Sequence, residues 1–202
     1  DGQGLEAQLQ AMRTVTAVLA CNGADASDVT ALLSASALTG VLHAAGAGDK
    51  GLLIELEAQK VQWMHASKAI GAWHLRCAAS MLPLEVCVLF SSVGSGLGNV
   101  GQASYAGGNG CLDALALARR AQGQAACGVQ WPVVGDAGMG AEACGLGGRI
   151  AGMAGISLEQ YAAPRQRLHT LNFGASAVRV TLQLAHVSIR SLVRTTGSSR
   201  SG

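Results

Sequence analysis

Proline is scarce in this chain, with three in 202 residues, so no Pro-rich spacer is written into it. The 28 glycines are roughly twice ordinary usage, yet they follow no fixed period, which excludes a collagen-type helix. Aromatic residues make up only 3%, too few to lay out a stacking platform for single-stranded nucleic acid. Charged residues are 13% and the formal net charge is +2, with no basic run longer than a pair. A surface that tracks a phosphate backbone is therefore not expected, and nucleic acid is excluded as a partner. No apolar stretch approaches the roughly 20 residues that span a bilayer, so no membrane partner is expected. The opening DGQGLEAQLQ has neither the basic nor the apolar region of a secretory signal. The six cysteines, at 21, 77, 87, 111, 127 and 144, contain no CxxC pair, so no metal site is indicated. Most lie in apolar segments such as LEVCVLF (84–90), where a reduced thiol packs as a small hydrophobe. This favours a reducing compartment: the cytoplasm, or a plastid or other organelle stroma, rather than the secretory route.

What the chain does have is apolar material. Half of its residues are hydrophobic, enough for a sizeable core in one domain. Residues 5–13 read as the end of a helix and TVTAVLAC (14–21) as a strand. ADASD (24–28) offers an N-cap before a short helix through Val29, Leu32 and Leu33. TGVLHA (39–44) is a short apolar run, and 55–80 is a long helical pattern with Val61, Met64, Trp73 and Leu75 among its apolar positions. LEVCVLF is a continuous apolar strand of the kind buried on both faces of a parallel sheet. A glycine-rich loop at 91–104 leads to a helix over about 105–120, then to CGVQW (127–131), read as another buried strand. A second glycine-rich loop (132–148), a weaker helix (157–171) and a last apolar run, AVRVTLQLAHVSI (177–189), follow. The predicted organisation is one α/β domain over 1–190 and a disordered tail over 191–202. Strands alternating with helices predict a Rossmann-like, doubly wound parallel sheet.

GLGNVG at 96–101 is a literal GxGxxG between a strand and a helix. A dinucleotide fingerprint needs its first glycine at the strand's end, where the pyrophosphate meets the helix N-terminus. Here five residues separate Phe90 from Gly96, and the acidic residue expected about 20 positions on is missing, since Asp113 lies in the helix and Asp136 beyond the next strand. A better constellation surrounds it. Ser91 and Ser92 emerge from the carboxyl end of a buried strand, where open α/β sheets place their sites. Tyr105 begins the next helix, and Asn109 follows one turn later on the same face. A tyrosine hydroxyl, with its ordinary pKa near 10, needs a nearby cation to serve as an acid–base group at neutral pH. Lys68, on the preceding long helix, is the candidate. Taken singly, a Ser pair is a turn, a helix-start Tyr is packing and a Lys is solvated; their joint spacing is the signal.

Four stretches together carry a resemblance: LTGVLHAAGAGDKGLL (38–53), SKAIGAWHL (67–75), VLFSSVGSGLGNVGQASYAGGNGCLDALALARRAQG (88–123), and VQW (129–131) with Gly138 and Met139. They resemble the ketoreductase domain of modular polyketide synthases and related fatty acid synthases, a branch of the short-chain dehydrogenase/reductase superfamily. That family places a lysine 24 residues before its serine, a tyrosine 13 after it and an asparagine four after the tyrosine, as Lys68, Ser92, Tyr105 and Asn109 stand here. The resemblance covers roughly residues 5–190. It implies NADPH-dependent reduction of a β-ketoacyl group carried on the phosphopantetheine of an acyl carrier protein, with neighbouring synthase domains as further partners. Tyr105 would donate the proton, Ser92 would orient the ketone, Lys68 would lower the tyrosine pKa and Asn109 would order the hydrogen-bond network. The stretch His43, Ala44, Ala45 and Gly46 would pass close to the cofactor's ribose and nicotinamide, His43 itself being structural. Asn22 stands where the family usually has an aspartate that bonds the adenine.

Other departures are as specific. The family's glycine-rich cofactor loop and first two strands are missing. In its sheet order, 3-2-1-4-5-6-7, this would leave the run at 14–21 without a neighbour and the run at 39–44 with a bare apolar edge. The expectation is thus a fold truncated at the N-terminus, with a half-empty cofactor cleft. Gly48, Asp49 and Lys50 stand where one stereochemical class has leucine–aspartate–aspartate, and Leu97 stands where the other has tryptophan. The usual tryptophan–glycine–proline text is Trp131, Pro132, Val133 here. Two alternatives from other classes remain: a non-catalytic structural portion of a synthase, favoured by the missing loop, and a dinucleotide-binding protein using Gly96, Gly98 and Gly101.

Overall fold

The computed structural model describes residues 15–34, 38–48, 51–98, 100–134, 155–157, 159–161, 180–186 and 189–196. Within them the β-branched, apolar runs become strands: β1 (Val15–Ala20), β2 (Gly40–His43), β3 (Val86–Ser92) and β4 (Cys127–Trp131). β3 is buried along its length apart from half-buried Val86, as a strand covered on both faces must be. Between them lie α1 (Ala26–Ser34), a continuous helical stretch made of α2 (Ala58–His65), a π-turn (Ala66–Ile70) and α3 (Gly71–Ala78), a short α4 (Gly94–Leu97), and α5 (Ala103–Ala121). Two further strands, β5 (Val180–His186) and β6 (Ile189–Thr196), form an antiparallel hairpin.

Local chemistry explains the boundaries. Asp25 caps α1, its Oδ1 accepting the backbone N–H of Ser27 at 2.8 Å and of Asp28 at 3.2 Å. That places Val29, Leu32 and Leu33 on one buried face. They join Val41, Leu75 and Ala79 in one core cluster, while Cys87 and Leu89 of β3 pack against Ala72, Leu112 and Ala116 in a second. Val41 is in register with Cys87, so both clusters line the same face of the sheet. On the other face Phe90 meets Trp131 at 5.6 Å between ring centroids, and Trp131 meets Tyr161 at 4.5 Å.

The sheet runs in the order β1-β6-β5-β2-β3-β4. β5 is parallel to β2, β2 to β3 and β3 to β4, whereas β6 runs against both of its neighbours. The Rossmann-like parallel sheet is therefore present, with one reversed strand. It corrects an expectation. The positions between β1 and β2, expected to be empty, hold the hairpin: Val15–Ala20 pairs with Ser191–Thr196, and Gly40–His43 with Val180–Gln183. Backbone groups on strand edges must find partners or water, and this hairpin supplies partners to both. Residues 191–196, expected in a disordered tail, accordingly lie in β6.

Smaller differences follow from the same packing. β4 is half-exposed rather than buried. Cys77, Cys111 and Cys127 are exposed, and only Cys21 and Cys87 among the described cysteines pack as buried hydrophobes. Trp73 is solvent-facing and carries Arg76 over its ring at 5.1 Å. The 91–104 loop contains the helical turn α4. The predicted helix over 5–13, most of the 132–148 loop and most of the helix over 157–171 lie outside the described residues. Among the described residues no helix is long and apolar enough to cross a membrane.

Candidate active site

Three elements converge at the carboxyl end of β3. Ser91 and Ser92 end the strand with their side chains on opposite faces, as the strand period requires. Ser91 Oγ donates to the Asn109 carbonyl at 3.2 Å, which clamps α5 onto β3. Ser92 Oγ accepts the Gly94 N–H at 3.1 Å, which leaves its own hydrogen to donate. A Cβ placed on Gly94 would sit 3.4 Å from Ser92 Oγ and 3.9 Å from Tyr105 Cε1, so both side chains flank the same small space.

Lys68 approaches from the π-turn. It is 3% exposed, and its Nζ donates to the Phe90 carbonyl at 3.4 Å and lies 5.5 Å from the centre of the Tyr105 ring. Its stem lies against α5 at Gly108, where a Cβ would come within 3.6 Å of Lys68 Cβ and Cδ. Burial pushes the Lys68 ammonium down from 10.5 to about 8, with the Asp113 carboxylate pulling the other way. Asn109 is fully buried. Its Nδ2 donates to the Tyr105 carbonyl at 2.8 Å, and its Oδ1 has no partner among the described residues. The structure therefore brings Lys68, Ser92, Tyr105 and Asn109 together from three separate elements.

The cofactor-side expectations fare unevenly. His43 is wholly buried and faces inward, with Nε2 3.0 Å from the Lys68 carbonyl and Nδ1 3.4 Å from the Ala45 nitrogen. Burial pushes its imidazole down to about 4. Ala44, Ala45 and Gly46 follow at the end of β2, small residues over which a ligand could approach the backbone. Asn22 is not part of this group. It closes the turn after β1, its N–H bonded to Asp28 Oδ2 at 3.0 Å and its Oδ1 accepting the Ala24 N–H at 3.2 Å, and two strands separate β1 from β2.

The geometry also goes against a dinucleotide site on GLGNVG. These glycines follow a helical turn rather than a strand; Gly98 (φ 70°) and Gly101 (φ 72°) make left-handed turns, and the Gly101 carbonyl accepts the Gly51 N–H at 2.9 Å. Tested against a nicotinamide dinucleotide, the described residues fit the reacting end, through the orphaned Asn109 Oδ1 and the Ser92–Tyr105 space. A glycine-rich cradle for the pyrophosphate is not among them.

A polar cluster that sequence reasoning missed supports the site. Ser95 Oγ donates to Asp113 Oδ2 at 2.6 Å, and Gln130 Nε2 donates to the same oxygen at 2.9 Å and to Ser95 Oγ at 3.0 Å. It ties α4, α5 and β4 together just beyond Ser92. Its only trace in the sequence is a glutamine within an otherwise apolar strand.

A buried lysine beside a tyrosine and a strand-end serine, on a Rossmann-like sheet, defines the short-chain dehydrogenase/reductase class. The chain belongs to the ketoreductase domain family of polyketide synthases within that superfamily: the KR domain model matches residues 1–136. It is 42% identical over 142 residues to the polyketide synthase GfsB of Streptomyces halstedii, covering 68% of this chain and 2% of that protein. It is 39% identical over 141 residues to the 6-methylsalicylic acid synthase of Aspergillus terreus, covering 69% and 8%. Among solved structures it is similar to A-type ketoreductases from a modular polyketide synthase, with a TM-score of 0.74 and 32% identity over 84% of this chain and 38% of the other. The first ketoreductase of the tylosin synthase gives a TM-score of 0.64 and 31% identity, covering 72% and 32%. The chain thus spans a small part of the multidomain relatives it matches and about a third of these ketoreductase structures.

Proposed function

We propose that this chain carries the catalytic residues of a reductase that converts a β-ketoacyl group, held on an acyl carrier protein, to the β-hydroxyacyl group. The observation that carries this reading is the convergence of Lys68, Ser92 and Tyr105, with Asn109 beneath them. The Tyr105 hydroxyl gives its proton to the ketone oxygen, and the Ser92 hydroxyl hydrogen-bonds the same oxygen and fixes its direction. As the tyrosine oxygen becomes negative, the buried Lys68 ammonium opposes that charge in a medium where charge is poorly screened. Asn109 Oδ1 offers an acceptor for a hydrogen of the ammonium or of a water, which would return the proton. NADPH, when bound, supplies the hydride; Ala44, Ala45 and Gly46 would hold its nicotinamide side.

A second reading has its own support: the hairpin between β1 and β2 favours a structural portion of a synthase without turnover of its own. The two are separated by NADPH oxidation with a β-ketoacyl thioester mimic, measured on the full-length polypeptide that carries this chain. Turnover lost in Tyr105→Phe supports the reductase. Turnover unchanged by that substitution, or none in the parent, overturns it.

A further inference from the structure

We infer that His43 is a positioning residue for Lys68: its ring holds the carbonyl of the π-turn and thereby fixes where the ammonium points. This rests on the reductase reading and deepens it. The backbone around Lys68 is out of ordinary helical register, because the Gly71 N–H bonds both the Ala66 and the Lys68 carbonyls. A helix interrupted in this way needs side-chain partners to hold one geometry, and π-turns concentrate at functional sites for that reason. The Lys68 carbonyl finds its second partner in His43 Nε2 at 3.0 Å.

The tautomer is determined by the other side of the ring. The Ala45 N–H is a donor, so Nδ1, 3.4 Å away, must be the acceptor and Nε2 must carry the hydrogen. The ring thus donates to Lys68 and accepts from the strand-end turn, linking β2 to the helix. A neutral ring is required, since a protonated Nδ1 would face the Ala45 N–H hydrogen to hydrogen. Burial keeps it neutral, the imidazole lying at about 4, and the charged groups that bear on it are Lys68 and, through Lys68, Asp113. The ring touches neither Tyr105 nor Ser92 in any recorded bond; it acts through the lysine backbone.

The test uses the full-length polypeptide with NADPH and a β-ketoacyl thioester mimic. His43→Leu, which cannot donate, should lower kcat by about 10–100-fold with KM within about twofold, and should shift the alkaline limb of the kcat–pH profile. His43→Gln, whose amide can donate to the same carbonyl, should recover most of the rate and the parent profile. Independently of turnover, 15N spectra of labelled histidine should show His43 as the neutral Nε2–H tautomer from pH 5 to 8. The 13C shift of the Lys68 ε-carbon should titrate differently in His43→Leu and as in the parent in His43→Gln. An Nδ1–H or charged ring, or a Lys68 titration identical in all three proteins, overturns the inference even where ketone reduction is intact. Absent turnover in the parent with the expected spectra would fail the reductase reading alone.

Discussion

Asn109 donates to the Tyr105 carbonyl one helical turn back, at 2.8 Å, while its own Oδ1 stays buried and unpartnered. The pair makes α5 both a support and a source of acceptor capacity: the amide is held by backbone and its oxygen is left over. An unmet buried acceptor costs on the order of 1–3 kcal/mol, so its retention beside a buried lysine points to use.

In the full-length polypeptide, Tyr105→Phe should reduce ketone turnover to a few per cent or less, since the ring still packs beside Gly94 and only the proton is lost. Ser92→Ala should lose about 2–4 kcal/mol of transition-state stabilisation, the cost of one oxyanion donor. NADPH oxidation with a ketoacyl thioester mimic measures both. Tyr105→Phe turnover near that of the parent would refute the proton-donor role.

Lys68 trades stability for chemistry. Its native pKa of about 8 lies below the ordinary 10.5, so between those values the unfolded chain binds a proton that the native chain does not. Stability must then rise with pH across that window, by up to about 3 kcal/mol, and the full penalty applies below pH 8. The buried His43 behaves alike between about 4 and 6.5, where stability also rises with pH. Lys68→Met should be about 1–3 kcal/mol more stable at pH 7, inactive, and without the rise above pH 8. Urea titrations from pH 5 to 10.5 decide it; a flat parent profile above pH 8 contradicts the burial of a charged lysine.

Gly40 faces Val86 across the β2–β3 pair, where a Cβ would stand 3.0 Å from Val86 Cβ and 3.3 Å from its carbonyl oxygen. Both neighbours belong to a central strand and cannot swing away. Gly40→Ala should therefore destabilise by about 1–3 kcal/mol, outweighing the roughly 0.4–1 kcal/mol gained by stiffening the unfolded chain. A melting temperature at or above that of the parent would mean that the two strands separate more easily than their register implies.

The hairpin is testable through its backbone. Amides of 180–186 and 189–196 should be protected from hydrogen exchange, and Leu182→Pro, in the strand between β2 and β6, should expose them. NADPH titrated into the 202-residue chain by calorimetry should bind weakly or not at all, since the hairpin stands between β1 and β2 and no pyrophosphate cradle is among the described residues. Unprotected amides would remove the hairpin, and micromolar NADPH affinity would show that it does not obstruct the cofactor.

The parts of the fold most legible in the sequence were those decided locally. The apolar run to Phe90, the Asp25 cap and the Ser92–Tyr105–Asn109 spacing each carry their structure within a few residues. Pairings between distant segments were not legible, because backbone hydrogen bonds carry no residue signature. Nothing in Val180–Thr196 says that it pairs with β1 and β2 rather than ending the chain loosely. The same limit hid His43, whose role depends on a carbonyl 25 residues away. Trp73 misled for a different reason: its apolar ring suggests a core position, whereas the helix phase after the π-turn turns it to solvent.

That phase has a consequence for how the chain can change. A π-turn holds one more residue than an α-turn, and each residue advances a helix by about 100°. Deleting one residue from 66–70 would restore a regular helix and carry everything after it round by that angle. Trp73 would take the bearing now held by buried Ala72, and Arg76 that of Leu75, pressing a large ring and a charge into the core. The extra residue thus uncouples two demands on one helix. The stretch before it is angled for packing against α5, the stretch after it for the sheet, and Lys68 sits at the seam where neither angle is obeyed.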